Sequence, residues 1–213
     1  MILLITLILL LVFILNLSFY WLLFSRAKAR NFEPIGFFYK IFPIIWTITL
    51  LTIPILNSSL LRFYFSNNWS YFKDYWILFA LLGILLIIIG VNFSKRGRKA
   101  YKDKLLDELG SELVTSGVFR IVRHPVYSGW VIIFFGTALI SDSLICLVLC
   151  PIILIFLDIH AVIEEKLVLI PKYGSNYEKF KEKTPFRIIP TPLNFFLIII
   201  TIIIIYVGFL NVT

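Results

Sequence analysis

Six apolar runs, divided by clusters of charge, leave this chain little choice of architecture. They fall at about 1–24, 39–61, 75–93, 126–141, 143–162 and 193–210. Crossing a hydrocarbon layer as a helix takes about 20 apolar residues, and most of the runs reach or approach that length. Inside such a layer each backbone N–H and C=O must find a partner within the protein, and a helix supplies those partners locally. The expected fold is all-α: a polytopic integral membrane protein of about six transmembrane helices. Composition agrees, with 60% hydrophobic and 15% charged residues. The fourth run is short, and only Ser141-Asp142-Ser143 separates it from the fifth. That spacing predicts an antiparallel helical hairpin.

The charges are as informative as the apolar runs. Eighteen of the twenty lysines and arginines lie in segments 25–40, 94–125 and 163–192; Arg62 and Lys73 alone fall in the intervening ones. An excess of cations on one side marks it as cytoplasmic. This placement also accounts for the formal charge of +8 without nucleic acid as a partner. At the N-terminus the basic residues Arg26, Lys28 and Arg30 follow the apolar run rather than precede it. The expectation is a retained first span with its N-terminus outside, not a cleaved signal. Cys146 and Cys150 stand in an apolar run without a metal-ligand pattern, so no metal site is expected. Tyr101–Glu112 alternates charge and apolarity like a short interfacial helix. Trp69, Tyr71, Tyr75 and Trp76 suit an aromatic belt. Pro43 and Pro54 are expected to kink the second span.

Against this apolar background stands a polar cassette in two halves. The first runs from Leu113-Val114-Thr115-Ser116-Gly117-Val118-Phe119 to Arg123-His124-Pro125-Val126-Tyr127-Ser128-Gly129. The second comprises Asp158, His160, Glu164-Glu165-Lys166-Leu167, Tyr173-Gly174-Ser175-Asn176-Tyr177 and Thr184 to Pro190. Both halves lie on the basic side. Pro125 suits the first turn of a helix and biases His124 away from helical geometry, so Arg123-His124-Pro125 should open the fourth span. Unpaired N–H groups at such an opening attract anions. Tyr127 falls one turn further in. Gly129 and Gly136, seven apart, share a face and admit close approach by another helix. Asp158 and Glu165 share a helical face, whereas Glu164 begins another stripe, so one carboxylate of the adjacent pair should point inward. Each residue also has a structural role open to it. Arg123 can snorkel, Tyr127 can anchor at the interface, Glu164 can end a helix in solvent, and Asp158 and His160 can make structural hydrogen bonds. Arg187 can pair with an acid in the site or bind lipid phosphate.

Arg-His-Pro-x-Tyr-x-Gly, followed by Glu-Glu-x-x-Leu and Gly-x-x-Tyr, resembles the isoprenylcysteine carboxyl methyltransferase family, to which phospholipid methyltransferases are related. The resemblance covers Leu113 to Pro190. It implies S-adenosylmethionine as cofactor, held in a cytoplasmic-side pocket by Glu112, Leu113, Val114, His124, Pro125, Val126, Tyr127 and Glu165. Arg123, Glu165 and His160 are the candidate catalytic residues. The chain departs from the family at Phe119, where Tyr is usual, at Tyr173, where Phe is usual, and at Phe180, where Tyr is common. It also has Ala161 where eukaryotic members carry a substrate-contacting Arg. The implied division is a scaffold of three spans over 1–100, a cofactor-binding region over 101–192 and a final span over 193–213. The implied activity is methyl transfer to a lipophilic acceptor, an isoprenylcysteine-type carboxylate first. Phospholipid amines are an alternative acceptor. An NADPH-dependent sterol-type reductase and a non-catalytic transporter or scaffold are alternatives of other classes.

Overall fold

The computed structural model describes residues 2–29, 45, 48–49, 51–58, 75–106, 113–190, 193, 195, 197–199, 201–203 and 206. Among the described residues every regular element is helical. The chain forms two compact units, Met1–Trp69 and Ser70–Thr213. The first holds α1 (Ile2–Ala29), unbroken over 28 residues. Asn57 Nδ2 donates to Thr6 Oγ1 at 2.7 Å, a buried amide–hydroxyl pair that ties residues 51–58 to α1. Satisfying these groups matters because an unmade hydrogen bond away from water costs more than a made one contributes.

The second unit is organised by glycines. Its first helix, α2 (Trp76–Leu106), runs without interruption for 31 residues, about 46 Å. The expected third span therefore does not stop at 93. The basic stretch 95–104 continues the same helix, because Lys, Arg and Ala are good helix formers and no proline interrupts them. Tyr101–Leu106, expected in a separate interfacial helix, belongs to α2, and residues 107–112 lie outside the described residues. Trp69, Tyr71 and Pro43 lie outside them too. Tyr75 and Trp76 are exposed.

Helix α3 (Pro125–Ile140) packs antiparallel to α2. A Cβ on Gly83 would lie 2.5 Å from the Gly136 carbonyl oxygen, and one on Gly136 would lie 2.7 Å from that of Gly83. Seven residues along, Gly90 and Gly129 repeat the arrangement at 2.8 and 2.6 Å. At the next level Gly97 meets the Pro125 ring. The heptad spacing lines the glycines up on one face, and the absence of side chains lets the backbones meet. The contact fixes the register, so Gly97 and Arg98 of α2 arrive at the N-terminus of α3.

A tight turn follows at Ser141–Ser143. Asp142 takes a left-handed conformation, φ 51°. Ser143 Oγ accepts from the Cys146 amide at 3.3 Å and so caps α4 (Leu144–Glu164). The hairpin expected from the sequence is present, and it returns the C-terminal end of α4 to the N-terminal end of α3. There the helix changes character. Glu165–Leu169 forms a π turn, in which the Ile170 amide bonds the Glu165 carbonyl five residues back. Short helices α5 (Ile170–Tyr173) and α6 (Ser175–Lys183) follow, separated by Gly174 at φ 54°. Among the described residues two segments are long and apolar enough to cross a membrane, Trp76–Ala100 and Ile145–Tyr173, with Leu4–Asn16 and Pro125–Ile140 as shorter apolar helices.

Candidate functional site

Three strokes of the chain converge where α3 begins: the C-terminal part of α2, the end of α4 with its π turn, and the closing segment Thr184–Ile189. The closing segment is bound through the backbone. Arg123 N–H donates to the Phe186 carbonyl at 3.0 Å, and His124 N–H donates to that of Arg187 at 2.9 Å. Ser128 Oγ, inside the first turn of α3, bonds the carbonyls of His124 and Ile188. The bend before Pro125 therefore faces the closing segment rather than water, and its donors are satisfied.

Arg123 is buried at this junction. Its Nε donates to Glu165 Oε1 at 2.8 Å, and its Nη1 donates to the carbonyls of Thr184 and Pro185 at 2.8 and 2.7 Å. A buried guanidinium is tolerable only when its charge and its donors are matched this fully. The other end of the closing segment is held by Arg187, whose Nη1 donates to both Asp158 oxygens at 3.0 and 2.9 Å. Arg187 Nε, buried and without a hydrogen-bond partner, lies 3.5 Å from Glu165 Oε1. Of the two roles open to Arg187, the structure displays pairing with an acid.

The adjacent carboxylates part company with the sequence expectation. Only one was expected inward, on the ground that neighbours on a helix face different ways. Both reach His124, because an imidazole offers a nitrogen on each side. His124 Nε2 lies 3.2 Å from Glu165 Oε1, and Nδ1 lies 3.4 Å from Glu164 Oε2. Tyr127 Oη donates to Glu164 Oε2 at 2.7 Å. The carboxylate on the cavity wall is Glu164, whose side chain is 30% exposed, whereas Glu165, at 5%, sits behind, held by Arg123 and His124. The helix end in solvent considered for Glu164 is replaced by these bonds. Burial lowers the His124 pKa, but the two carboxylates outweigh it, and the net value is raised above 6.5. The ring stacks in parallel on Tyr127, 5.4 Å between centroids, and Tyr127 meets His160 edge-on at 5.1 Å.

These groups border a cavity of about 280 Å³. Of the residues singled out in the sequence, Leu113, Val114, Arg123, His124, Pro125, Val126 and Tyr127 line it; Glu112 lies outside the described residues. His160 is buried behind Tyr127 and does not reach the wall. The wall also includes Gly97 and Arg98, from the basic stretch that continues α2, and Phe119 and Leu169. Tyr173, Tyr177 and Phe180 close it from the short helices that follow the π turn, the stretch expected to fold back over the cavity. Tyr177 Oη is buried with no hydrogen-bond partner, and burial, then the Glu165 charge, push its ionisation upward. Among the described residues no group of three or more His, Cys, Asp or Glu is arranged for a metal.

The phospholipid methyltransferase family model matches residues 77–176, a stretch that runs from the start of α2 into α6. Most of the cavity wall falls inside this matched stretch, with Tyr177 and Phe180 just beyond it. Probable protein-S-isoprenylcysteine O-methyltransferases of Oryza sativa, from subspecies indica and japonica, are each 28% identical over 117 residues, 52% of this chain and 61% of theirs. The protein-S-isoprenylcysteine O-methyltransferase of Xenopus laevis is 37% identical over 73 residues, 34% of this chain and 25% of its own length. That of Schizosaccharomyces pombe is 30% identical over 73 residues, 34% and 31% of the two chains. The chain thus spans between a quarter and about three fifths of the length of these curated relatives. No solved structure matches it.

Proposed function

We propose that this protein is a multi-pass membrane methyltransferase that uses S-adenosylmethionine, bound from the cytoplasmic side, to methylate a lipophilic acceptor, an isoprenylcysteine-type carboxylate. The observation that carries the proposal is the wall of the cavity. Within a methyltransferase-family segment it sets a part-exposed carboxylate, Glu164, among the rings of Phe119, Tyr127, Tyr173, Tyr177 and Phe180. A sulfonium is a soft cation, and a carboxylate surrounded by aromatic faces is the donor set that suits one. Arg98, on the same wall, supplies positive charge for a carboxylate. When bound, S-adenosylmethionine supplies an activated methyl group, which leaves the protein to bind, orient and exclude water.

Each residue then has a task. His124 is a spacer between two carboxylates, and its raised pKa favours the imidazolium that both accept from. Tyr127 fixes the direction of Glu164. Arg123, on the wall, is locked to the junction by Glu165, which sits behind it. Among the described residues of the wall the one carboxylate, Glu164, is engaged by Tyr127 and His124, which favours an acceptor that arrives already anionic. The isoprenylcysteine O-methyltransferase names of the relatives point to the same acceptor. A separate apolar cavity of about 150 Å³, lined by Phe135, Pro151, Leu154 and Leu197 among others, suits hydrocarbon. A phospholipid amine is the second acceptor considered, favoured by the description of the family model.

The test has two stages. Calorimetry of S-adenosylhomocysteine against detergent-purified protein, with NADPH in parallel, is expected to give binding of the first alone. Binding of NADPH alone would move the protein to the reductase class. Labelled methyl transfer is then measured to a farnesylated cysteine and to phosphatidylethanolamine. Label in a base-labile ester supports the carboxylate acceptor, and label in the amine lipid replaces it with the second.

A further inference from the structure

A second, more polar cavity of about 560 Å³ adjoins the first and shares Phe180 with it. Asn176, Lys179, Phe180 and Lys183 line it from α6. Their spacing of three, four and seven residues puts them on one helical face. Thr115, Arg120 and Thr184 complete the wall. Arg120, Lys179 and Lys183 are exposed, and no carboxylate of the described residues lines the cavity with them. Glu178, on the same helix, is engaged elsewhere, by Lys181 at 3.0 Å. Three cations that converge without a counter-charge repel one another, and an anion between them removes that cost. Thr115 Oγ and the Asn176 amide add neutral donors beside the arginine fork, the set that satisfies the oxygens of a phosphate.

We propose that this cavity is a binding site for a phosphate-bearing anion. Two sources share that chemistry: the headgroup of an anionic phospholipid and a soluble phosphate. The setting matches the first, since Ile121, next to Arg120, is 50% exposed, and cations beside exposed apolar side chains are the composition of a membrane-surface segment. The site is joined to the catalytic cavity through its floor. Thr184 Oγ1 donates to the Phe119 carbonyl at 3.3 Å, while the Thr184 carbonyl accepts from Arg123. A bound anion therefore steadies α6, which carries Tyr177 and Phe180 into the catalytic cavity.

Direct binding tests this without recourse to the methyl-transfer proposal. The full chain is purified in detergent and titrated with phosphatidylglycerol, with phosphatidylcholine as the neutral lipid, and with inorganic pyrophosphate as the soluble probe. Bound species are counted by native mass spectrometry. The comparison is with the triple variant Arg120→Gln/Lys179→Gln/Lys183→Gln and with Lys181→Gln, which removes a cation of α6 outside the cavity. All three substituted cavity residues are exposed, so circular dichroism is expected to match the parent. Loss of each cation is expected to weaken binding roughly fivefold, or on the order of a hundredfold for the triple variant, against little change for Lys181→Gln. Retention of phosphatidylglycerol alone identifies a lipid headgroup, and binding of pyrophosphate as well extends the site to free phosphate. Equal affinity of parent and triple variant for both probes overturns the proposal. So does an equal loss in Lys181→Gln, which would show diffuse attraction to a basic surface.

Discussion

The α2–α3 contact and the polar junction at its end lie side by side and are held together by opposite means. Along the contact, backbone meets backbone because Gly83, Gly90, Gly129 and Gly136 present nothing in between. At the junction, Arg123, His124, Glu164 and Glu165 meet through charge and directed hydrogen bonds. The first depends on shape and is indifferent to pH. The second tolerates little change of charge and depends on the protonation of one imidazole. Shape sets the approach of the helices, and charge then fixes the few ångströms on which chemistry depends.

The largest effect is expected from breaking the junction. Arg123→Met takes the guanidinium from the buried Glu165 carboxylate, which keeps His124 at 3.2 Å and Arg187 at 3.5 Å, and strands the carbonyls of Thr184 and Pro185. A loss of about 3 kcal/mol is expected, since removing one partner of a buried ion pair leaves the other charge under-compensated. Equilibrium denaturation in detergent measures it. Adding Glu165→Leu is expected to recover part of the loss. If the double variant is as unstable as the single, packing rather than charge holds the junction.

Gly129→Ala attacks the other region. The new Cβ would lie 2.6 Å from the Gly90 carbonyl oxygen and 2.7 Å from Ser94 Cβ. The helices must separate, at a cost of about 1–3 kcal/mol typical of overpacking. The same measurement at several pH values separates the two regions. The Gly129→Ala penalty is expected to be flat. The His124→Gln penalty is expected to be full below pH 6.5, the ordinary histidine value, and to shrink as pH rises through the raised folded value, where the imidazolium is lost in both states. A flat profile for His124→Gln would remove the imidazolium from the account.

How much of this was legible in the sequence differs between the same two regions. The contact was half visible: Gly129 and Gly136 announced a close approach by their spacing, but only the fold shows that the partner is α2, through glycines with the same period. The hairpin was legible because three short polar residues between apolar runs permit little else. The extent of α2 was not, because a cluster of lysines and arginines resembles a loop when charge alone is weighed, although the same residues propagate a helix well. At the junction, residue types were readable and their partners were not. The Arg123–Glu165 bond spans 42 positions and the Arg123–Thr184 bond 61, and no local periodicity carries such pairings. That Glu164 and Glu165 both turn toward His124 was not legible, because the rule that neighbours diverge on a helix leaves out an imidazole with a nitrogen on each side.

Tyr127→Phe makes the smallest and sharpest test. It removes one hydroxyl, the donor that holds Glu164 at 2.7 Å, and keeps the ring that stacks on His124. Glu164 remains 3.4 Å from His124 Nδ1, so stability is expected to fall by only about 1 kcal/mol. Ligand binding is expected to be the more sensitive readout, because Glu164 is the carboxylate on the wall and loses the group that aims it. A several-fold weaker affinity for S-adenosylhomocysteine, at nearly unchanged stability, is the expected pair of results. A loss of stability with no loss of affinity would assign Tyr127 to the junction and leave the cavity indifferent to where Glu164 points. The two readouts divide at this residue because Tyr127 belongs to both regions: its backbone lies in the first turn of α3, and its hydroxyl is spent on the charge cluster.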